Sequence, residues 1–224
     1  MRPQLRLVLA ISLDGRLAPA EGGAAQIGAA GDRRALEEAL AWADACLIGA
    51  NTLRLHGCTA LIHQADLLEQ RRQQGRPEQP AALVVSRHGG LDAALRFFQQ
   101  PLRRGLIGGP PLGAACADQP PAGFDWHWPL TAWQPLFEQL GQAGFRQLVV
   151  LGGAQLAASL LEAGWVDELQ LTLCPHLLGG SHAWLPAGVS LPPQPQSWRL
   201  LEQRCLGGDE LLLRYARLSA APEP

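Results

Sequence analysis

Four short segments carry residue types that could do chemistry at the end of a strand. Ser12-Leu13-Asp14-Gly15 sets a hydroxyl and a carboxylate two residues apart, enough to orient a polar ring, although Asp-Gly is also a common turn. Gly49-Ala50-Asn51-Thr52 offers bare backbone and then a threonine able to cap a helical turn, where free N–H groups could meet a phosphate. Ser86-Arg87-His88 joins a hydroxyl to a guanidinium. That pair can hold a monoester phosphate by charge-assisted hydrogen bonds, as on the 2′-phosphate of NADP, and it can equally be a solvated surface pair. Leu151-Gly152-Gly153-Ala154-Gln155 puts paired glycines before a helix-like apolar run, a seat for a pyrophosphate on backbone N–H groups. It matches neither GxGxxG nor GxxxxGK[ST].

The rest of the sequence excludes more than it offers. All 18 basic residues are arginine, so Schiff-base lysines, P-loop lysines and lysine general bases are excluded. The formal net charge of -2 argues against a broad nucleic-acid face. His56, His63, His88, His127, His176 and His182 lack paired metal spacing, and no GxSxG occurs, so no metal site is expected. Cys46, Cys58, Cys116, Cys174 and Cys205 are odd in number and form no CxxC, the pattern of a reducing compartment. Apolar runs are too short for a signal peptide or a membrane span, which reads as a soluble cytoplasmic protein.

The elements that must position these segments follow from periodicity. Apolar strands are expected at Leu7–Leu13, Ala45–Ile48, Ala82–Ser86, Leu106–Ile107, Phe124–Trp128, Leu148–Leu151 and Val166–Cys174. Helices are expected from Asp32, acting as cap, to Asp44, over Thr52–His56, His63–Gln74 and Ala154–Ala163, and from a Thr131/Gln134 capping box to Gln142. Trp126 and Trp128 share one face of a strand and read as packing. Trp198–Arg204, the turn Gly207-Gly208-Asp209 and Glu210–Arg217 form a closing antiparallel hairpin. Short apolar strands alternating with helices predict an α/β fold with a mostly parallel sheet. One domain is expected over residues 1–219, with a frayed tail at 220–224. Ligands of such sheets sit at the carboxyl ends of the strands, where all four segments lie.

The order of the pieces resembles the reductase domain of the bifunctional riboflavin-biosynthesis deaminase–reductase, which has the dihydrofolate-reductase-like fold. The matching segments are Leu9–Ala18, Asp32-Arg33, Ala43–Thr52, Leu151–Leu156, Val166–Leu169 and Pro175–Gly180. No deaminase zinc motif precedes them, so the resemblance implies a stand-alone reductase.

The resemblance implies NADPH as cofactor, a ribosylaminopyrimidine as substrate and a homodimer. It implies hydride transfer to C1 of the open-chain ribose imine. The family's cofactor positions fall on Ala10, Ile27, Thr52, Ser86 and the Gly152-Gly153 turn, beside which Gly49, Arg87 and Ala154 complete a candidate cofactor site. Asp14 and His56 are the candidate proton relays, and Ser12 and Arg33 the candidate substrate ligands. Several substrate-side positions depart from the family: Val8 replaces a lysine, Leu40 an arginine, Leu151 a glutamate, Ala24 a serine, and His56-Gly57-Cys58 an Asp-Asp-Pro. With Leu40 in place of an arginine, a substrate phosphate is expected to move to Arg33 at the N-terminus of the same helix. Two other readings remain open: a pterin-type reductase, and a non-catalytic NADP-binding protein.

Overall fold

The computed structural model describes residues 1–23, 27–109, 120–191 and 196–218. Ala24, Cys116 and the tail from Ala220 to Pro224 lie outside the described residues. In chain order the main elements are β1 (Gln4–Ser12), α1 (Ala30–Trp42), β2 (Ala45–Gly49), α2 (Ala50–His56), α3 (Ala65–Gln73), β3 (Ala81–Ser86), β4 (Arg104–Gly108), β5 (Trp126–Trp128), α4 (Trp133–Gln142), β6 (Gln147–Val150), α5 (Ala154–Glu162), β7 (Glu168–Cys174), β8 (Trp198–Gly207) and β9 (Glu210–Arg217). A short 3-10 turn at Arg96–Gln99, with no sequence signal, precedes β4. Contacts group the chain into two compact units, residues 1–4 with 37–153 and residues 5–36 with 154–224.

The first unit carries five parallel strands in the order β5-β4-β3-β2-β6. Leu47, Leu83, Val84, Ile107 and Val149 are buried, which explains the near-continuous apolar runs: a parallel strand is covered on both faces. Leu136, Phe137 and Leu140 present one apolar face of α4 to this core. The expected capping box of α4 does not form, because Ala132 is the N-cap and no side chain bonds there. Trp126 and Trp128 stack at 5.9 Å and meet Phe145 edge-on, so they pack as expected.

A buried cation ends α1 in this unit. Arg71, 1% exposed, donates from Nη1 to the carbonyls of Leu40, Ala41 and Ala43 and from Nε to that of Pro77. Arg76 adds bonds to the Ala41 and Trp42 carbonyls and an ion pair with Asp44 at 2.6 Å. The two guanidiniums satisfy the carbonyls that a helix C-terminus leaves without partners.

In the second unit β1 pairs with β7 in parallel, and β7-β9-β8 are antiparallel. Leu7, Leu160 and Leu212 are among its core residues. The closing hairpin turns through Gly208 and Asp209, with φ of 59° and 60°, the left-handed pair that tight hairpins require. The α/β class, the mostly parallel pairing and this hairpin agree with the sequence reading.

Candidate functional site

Three neighbouring strands of the first unit end in glycine or serine, and a fourth runs on into a glycine pair. In the order β4-β3-β2-β6, their carboxyl ends are Gly108-Gly109, Ser86, Gly49 and, after Val150-Leu151, Gly152-Gly153. The register aligns Gly108 with Ser86 and Gly49 with Val85. A Cβ on Gly108 would run into the Ser86 carbonyl, and one on Gly109 would lie 2.8 Å from the Arg87 carbonyl. Gly152, at φ 80°, is in the left-handed region. The glycines at 108 and 109 let neighbouring strand ends pack backbone to backbone, and the whole rim lies at the carboxyl edge of a parallel sheet, where such sheets bind ligands.

Thr52 joins two parts of this rim. It is the third residue of α2, whose N-cap is Gly49, so the expected capping role is corrected. Its Oγ1 instead accepts the Gly153 N–H at 3.2 Å. A Cβ on Gly153 would lie 2.6 Å from the same oxygen. The turn therefore needs glycine first for its approach to Thr52.

Ser86 is buried, and its hydroxyl donates to the Gly89 carbonyl at 3.0 Å. Its oxygen can still accept, but its proton is committed to the loop. Arg87 beside it is exposed, as is His56 at the end of α2. His56 lies four residues after Thr52, one helical turn on. Leu40, where the resemblance expects an arginine, is fully buried in the core. Leu151, where it expects a glutamate, donates its N–H to the Leu47 carbonyl.

The second unit holds the remaining candidates. Ala10 and Ile27 are half-buried, Ala10 in β1 opposite Thr172 of β7, and Ala154 opens α5. Ser12 is 1% exposed and donates to Asp14 Oδ1 at 2.5 Å while accepting the Arg16 N–H at 2.9 Å. Its hydroxyl is spent inside the protein, which removes it as an accessible substrate ligand. Asp14 also accepts N–H groups from Leu178 at 3.1 Å and Gly179 at 2.8 Å. The Ser12 hydroxyl, more than any other neighbour, holds the Asp14 carboxyl well below the usual carboxylate range. With Ser12, Leu178 and Gly179 all donating to it, the Asp14 carboxylate is engaged in a structural clamp between the two loops.

The N-terminus of α1 is also filled. Glu210 of β9, 2% exposed, accepts the Ala29 N–H at 2.6 Å on one oxygen and the Asp32 N–H at 3.1 Å on the other. A Cβ on Gly31 would strike the Leu206 backbone of the same hairpin. Asp32 is inside the helix rather than its cap, and burial raises its carboxyl above the ordinary value, with Glu210 adding to the rise. The Ala29 and Asp32 amides are therefore taken by the Glu210 carboxylate and are not open to a substrate phosphate beside Arg33. Arg33 itself is exposed.

Two features escaped the sequence reading. Gly108-Gly109 had the same signal as Gly152-Gly153, paired glycine after an apolar strand, and could have been found by that analogy. Glu210 had none, since its role depends on a hairpin returning nearly two hundred residues after the helix.

Comparison with known proteins follows from this geometry. The family model for the RibD C-terminal domain matches residues 3–209. A 2,5-diamino-6-ribosylamino-4(3H)-pyrimidinone 5′-phosphate reductase from Methanothermobacter thermautotrophicus is 27% identical over 227 residues, covering 96% of this chain and 98% of the relative. The structure of Acinetobacter baumannii RibD superposes with a TM-score of 0.80 at 22% identity, over 97% of this chain and 59% of that one. A dihydrofolate reductase from Enterococcus faecalis, complexed with NADP(H), shares the fold at a TM-score of 0.54 and 13% identity, covering 96% of this chain and 97% of that one. The chain belongs to the RibD C-terminal domain family and is a reductase of riboflavin biosynthesis.

Proposed function

We propose that this RibD-type reductase uses NADPH to reduce a ribosylaminopyrimidine 5′-phosphate. The candidate substrates are 2,5-diamino-6-ribosylamino-4(3H)-pyrimidinone 5′-phosphate and its deaminated counterpart, 5-amino-6-(5-phosphoribosylamino)uracil. The observation that carries the cofactor half is the glycine-and-serine rim: at the carboxyl ends of four adjacent parallel strands the chain runs into Gly108-Gly109, Ser86, Gly49 and Gly152-Gly153, the edge at which parallel sheets take their ligands. Residues 1–219 act in this reading as one reductase domain.

When bound, NADPH supplies a hydride to C1 of the ring-opened ribosyl imine, giving a ribitylamine. The chain's own work is positioning. Gly152 and Gly153 seat the pyrophosphate, Thr52 fixes their turn, and Arg87 faces the 2′-phosphate beside Ser86, whose hydroxyl holds the loop through the Gly89 carbonyl. Ala10, Ile27, Gly49 and Ala154 give backbone or small-residue approach. In this reading His56, exposed one helical turn beyond Thr52, passes the accompanying proton. Asp14 already accepts from Ser12, Leu178 and Gly179, so its carboxylate is engaged in holding the loops, which weighs against the pterin reading.

A homodimer fits the edge strand β8, which exposes Leu200 and Leu201 and pairs only with β9 among the described residues. No helix among the described residues is long and apolar enough to cross a membrane. A cytoplasmic location supplies NADPH and keeps the cysteines reduced.

The test is loss of NADPH absorbance with each pyrimidine and with dihydrofolate. Turnover of either pyrimidine supports the reading. Turnover of dihydrofolate alone, or of none with NADPH bound, overturns it.

A further inference from the structure

The carboxyl ends of β1 and β7 are joined by a network that the cofactor half of the site does not use. The parallel register ends at Ser12 opposite Cys174, and the chain leaves each strand into a loop. Leu13 donates its N–H to the His176 carbonyl at 2.8 Å, which sets the two loops side by side. Beyond them, Leu17 donates to the His182 carbonyl, Trp184 to the Gly15 carbonyl, and Arg16 bridges to Ala183. Asp14 sits at the root of this pairing. Its Oδ1 takes the Ser12 hydroxyl and the Leu178 N–H, its Oδ2 takes the Gly179 N–H, and Arg16 Nε lies 3.7 Å away. Gly179 and Gly180 both have positive φ, 66° and 72°, which lets the loop backbone turn there. Gly180 passes so close to Ala20 that a Cβ would lie 2.6 Å from the Ala20 Cα.

The clamp holds two apolar side chains out in solvent. Leu177 is 77% exposed and Leu13 is 60% exposed, the two most exposed large apolar chains of their unit. One exposed leucine means little. Two on adjoining segments, fixed by a carboxylate network at the carboxyl ends of parallel strands, are placed where a ligand binds.

We propose that Asp14 is a positioning residue, locking the loop after β7 to the turn after β1 so that Leu13 and Leu177 form an apolar seat for the planar ring of the ribosylaminopyrimidine. This rests on the functional reading above and deepens it by naming a substrate subsite. All the groups around the carboxylate donate hydrogen bonds, so only a side chain accepting on both oxygens completes the clamp. Asp14→Asn keeps the shape, yet sets an NH2 against one of the donors.

Three measurements test it: hydrogen exchange at the Leu178 and Gly179 amides, KM against kcat for the pyrimidine, and NADPH affinity. Asp14→Asn should speed exchange at those two amides roughly tenfold or more. It should raise KM roughly tenfold, with kcat changed less than about threefold and NADPH affinity unchanged. Leu177→Ala should raise KM while leaving the exchange as in wild type. Unchanged exchange in Asp14→Asn overturns the clamp. Unchanged KM in folded Leu177→Ala overturns the ring seat. A wild-type protein that reduces neither pyrimidine overturns the functional reading and the ring seat with it, while the exchange experiment still decides the clamp.

Discussion

Gly153 offers the sharpest test of the cofactor seat. Its φ is outside the left-handed region, so left-handed strain is not what alanine meets there, and the contact with Thr52 decides the effect. The added Cβ would lie 2.6 Å from Thr52 Oγ1, where ordinary contact begins at 3.4 Å, so the turn or the threonine must give way by the difference, 0.8 Å. The Gly153 N–H bond to Thr52 at 3.2 Å is lost or bent in the process. Overpacking of this kind costs about 1–3 kcal/mol and a neutral hydrogen bond adds about 0.5–1.5 kcal/mol. We expect Gly153→Ala to lose about 2 kcal/mol of stability, a fall in Tm of roughly 4–8 °C. NADPH affinity should fall at least about tenfold, or about 1.4 kcal/mol. Thr52→Ala removes the oxygen and leaves only the threonine Cβ, 4.0 Å away, so the double variant should recover part of the stability lost in Gly153→Ala. Thermal unfolding of the four proteins, with NADPH titration by fluorescence, measures both effects. Additivity of the two substitutions to within about 0.5 kcal/mol would refute the contact argument. Wild-type NADPH affinity in a folded Gly153→Ala would refute the pyrophosphate seat.

Other consequences are equally open to measurement. Wild type should bind NADPH more tightly than NADH, and Arg87→Ala should narrow that preference by roughly tenfold; equal wild-type affinities count against the assignment. Arg71→Met leaves carbonyls of Leu40, Ala41, Ala43 and Pro77 without their buried donor and should cost about 3 kcal/mol in denaturant unfolding, whereas a loss below about 1 kcal/mol contradicts the capping role. Glu210→Ala frees the Ala29 and Asp32 amides and should cost about 1–3 kcal/mol by the same method, a null effect showing the helix end to be satisfied otherwise. Because burial raises the Asp32 carboxyl, the folded protein holds that proton more tightly than the unfolded chain. The contribution of Asp32 is therefore most favourable at acid pH and declines as pH rises from the unfolded value of 3.8 through the raised folded one. Asp32→Asn should remove that decline from the pH profile of Tm, and parallel profiles would contradict it.

The local readings came through well because they rest on local physics. Ala45–Ile48 and Ala82–Ser86 are apolar enough that only a strand buried on both faces suits them, and both are such strands. Gly207-Gly208-Asp209 announced its hairpin because few other residues adopt positive φ there. The glycine pair at 152–153 was legible as a strand-to-helix turn for the same reason, whereas the helix caps expected at Asp32, Thr52 and Thr131 did not form, because where a helix starts is set by packing as well as by its first residues. What a side chain would meet across the fold was not legible. Ser12 and Asp14 looked free, yet the hydroxyl serves the carboxylate and the carboxylate serves the loop after β7, more than a hundred and sixty residues on. The end of α1 looked open to a phosphate, but Glu210 arrives on the last strand to fill it. A strand or a turn is selected by residues adjacent in sequence, whereas a polar side chain's role is set by which donors and acceptors tertiary packing brings within about 3 Å, and those pairings leave no periodic trace along the chain.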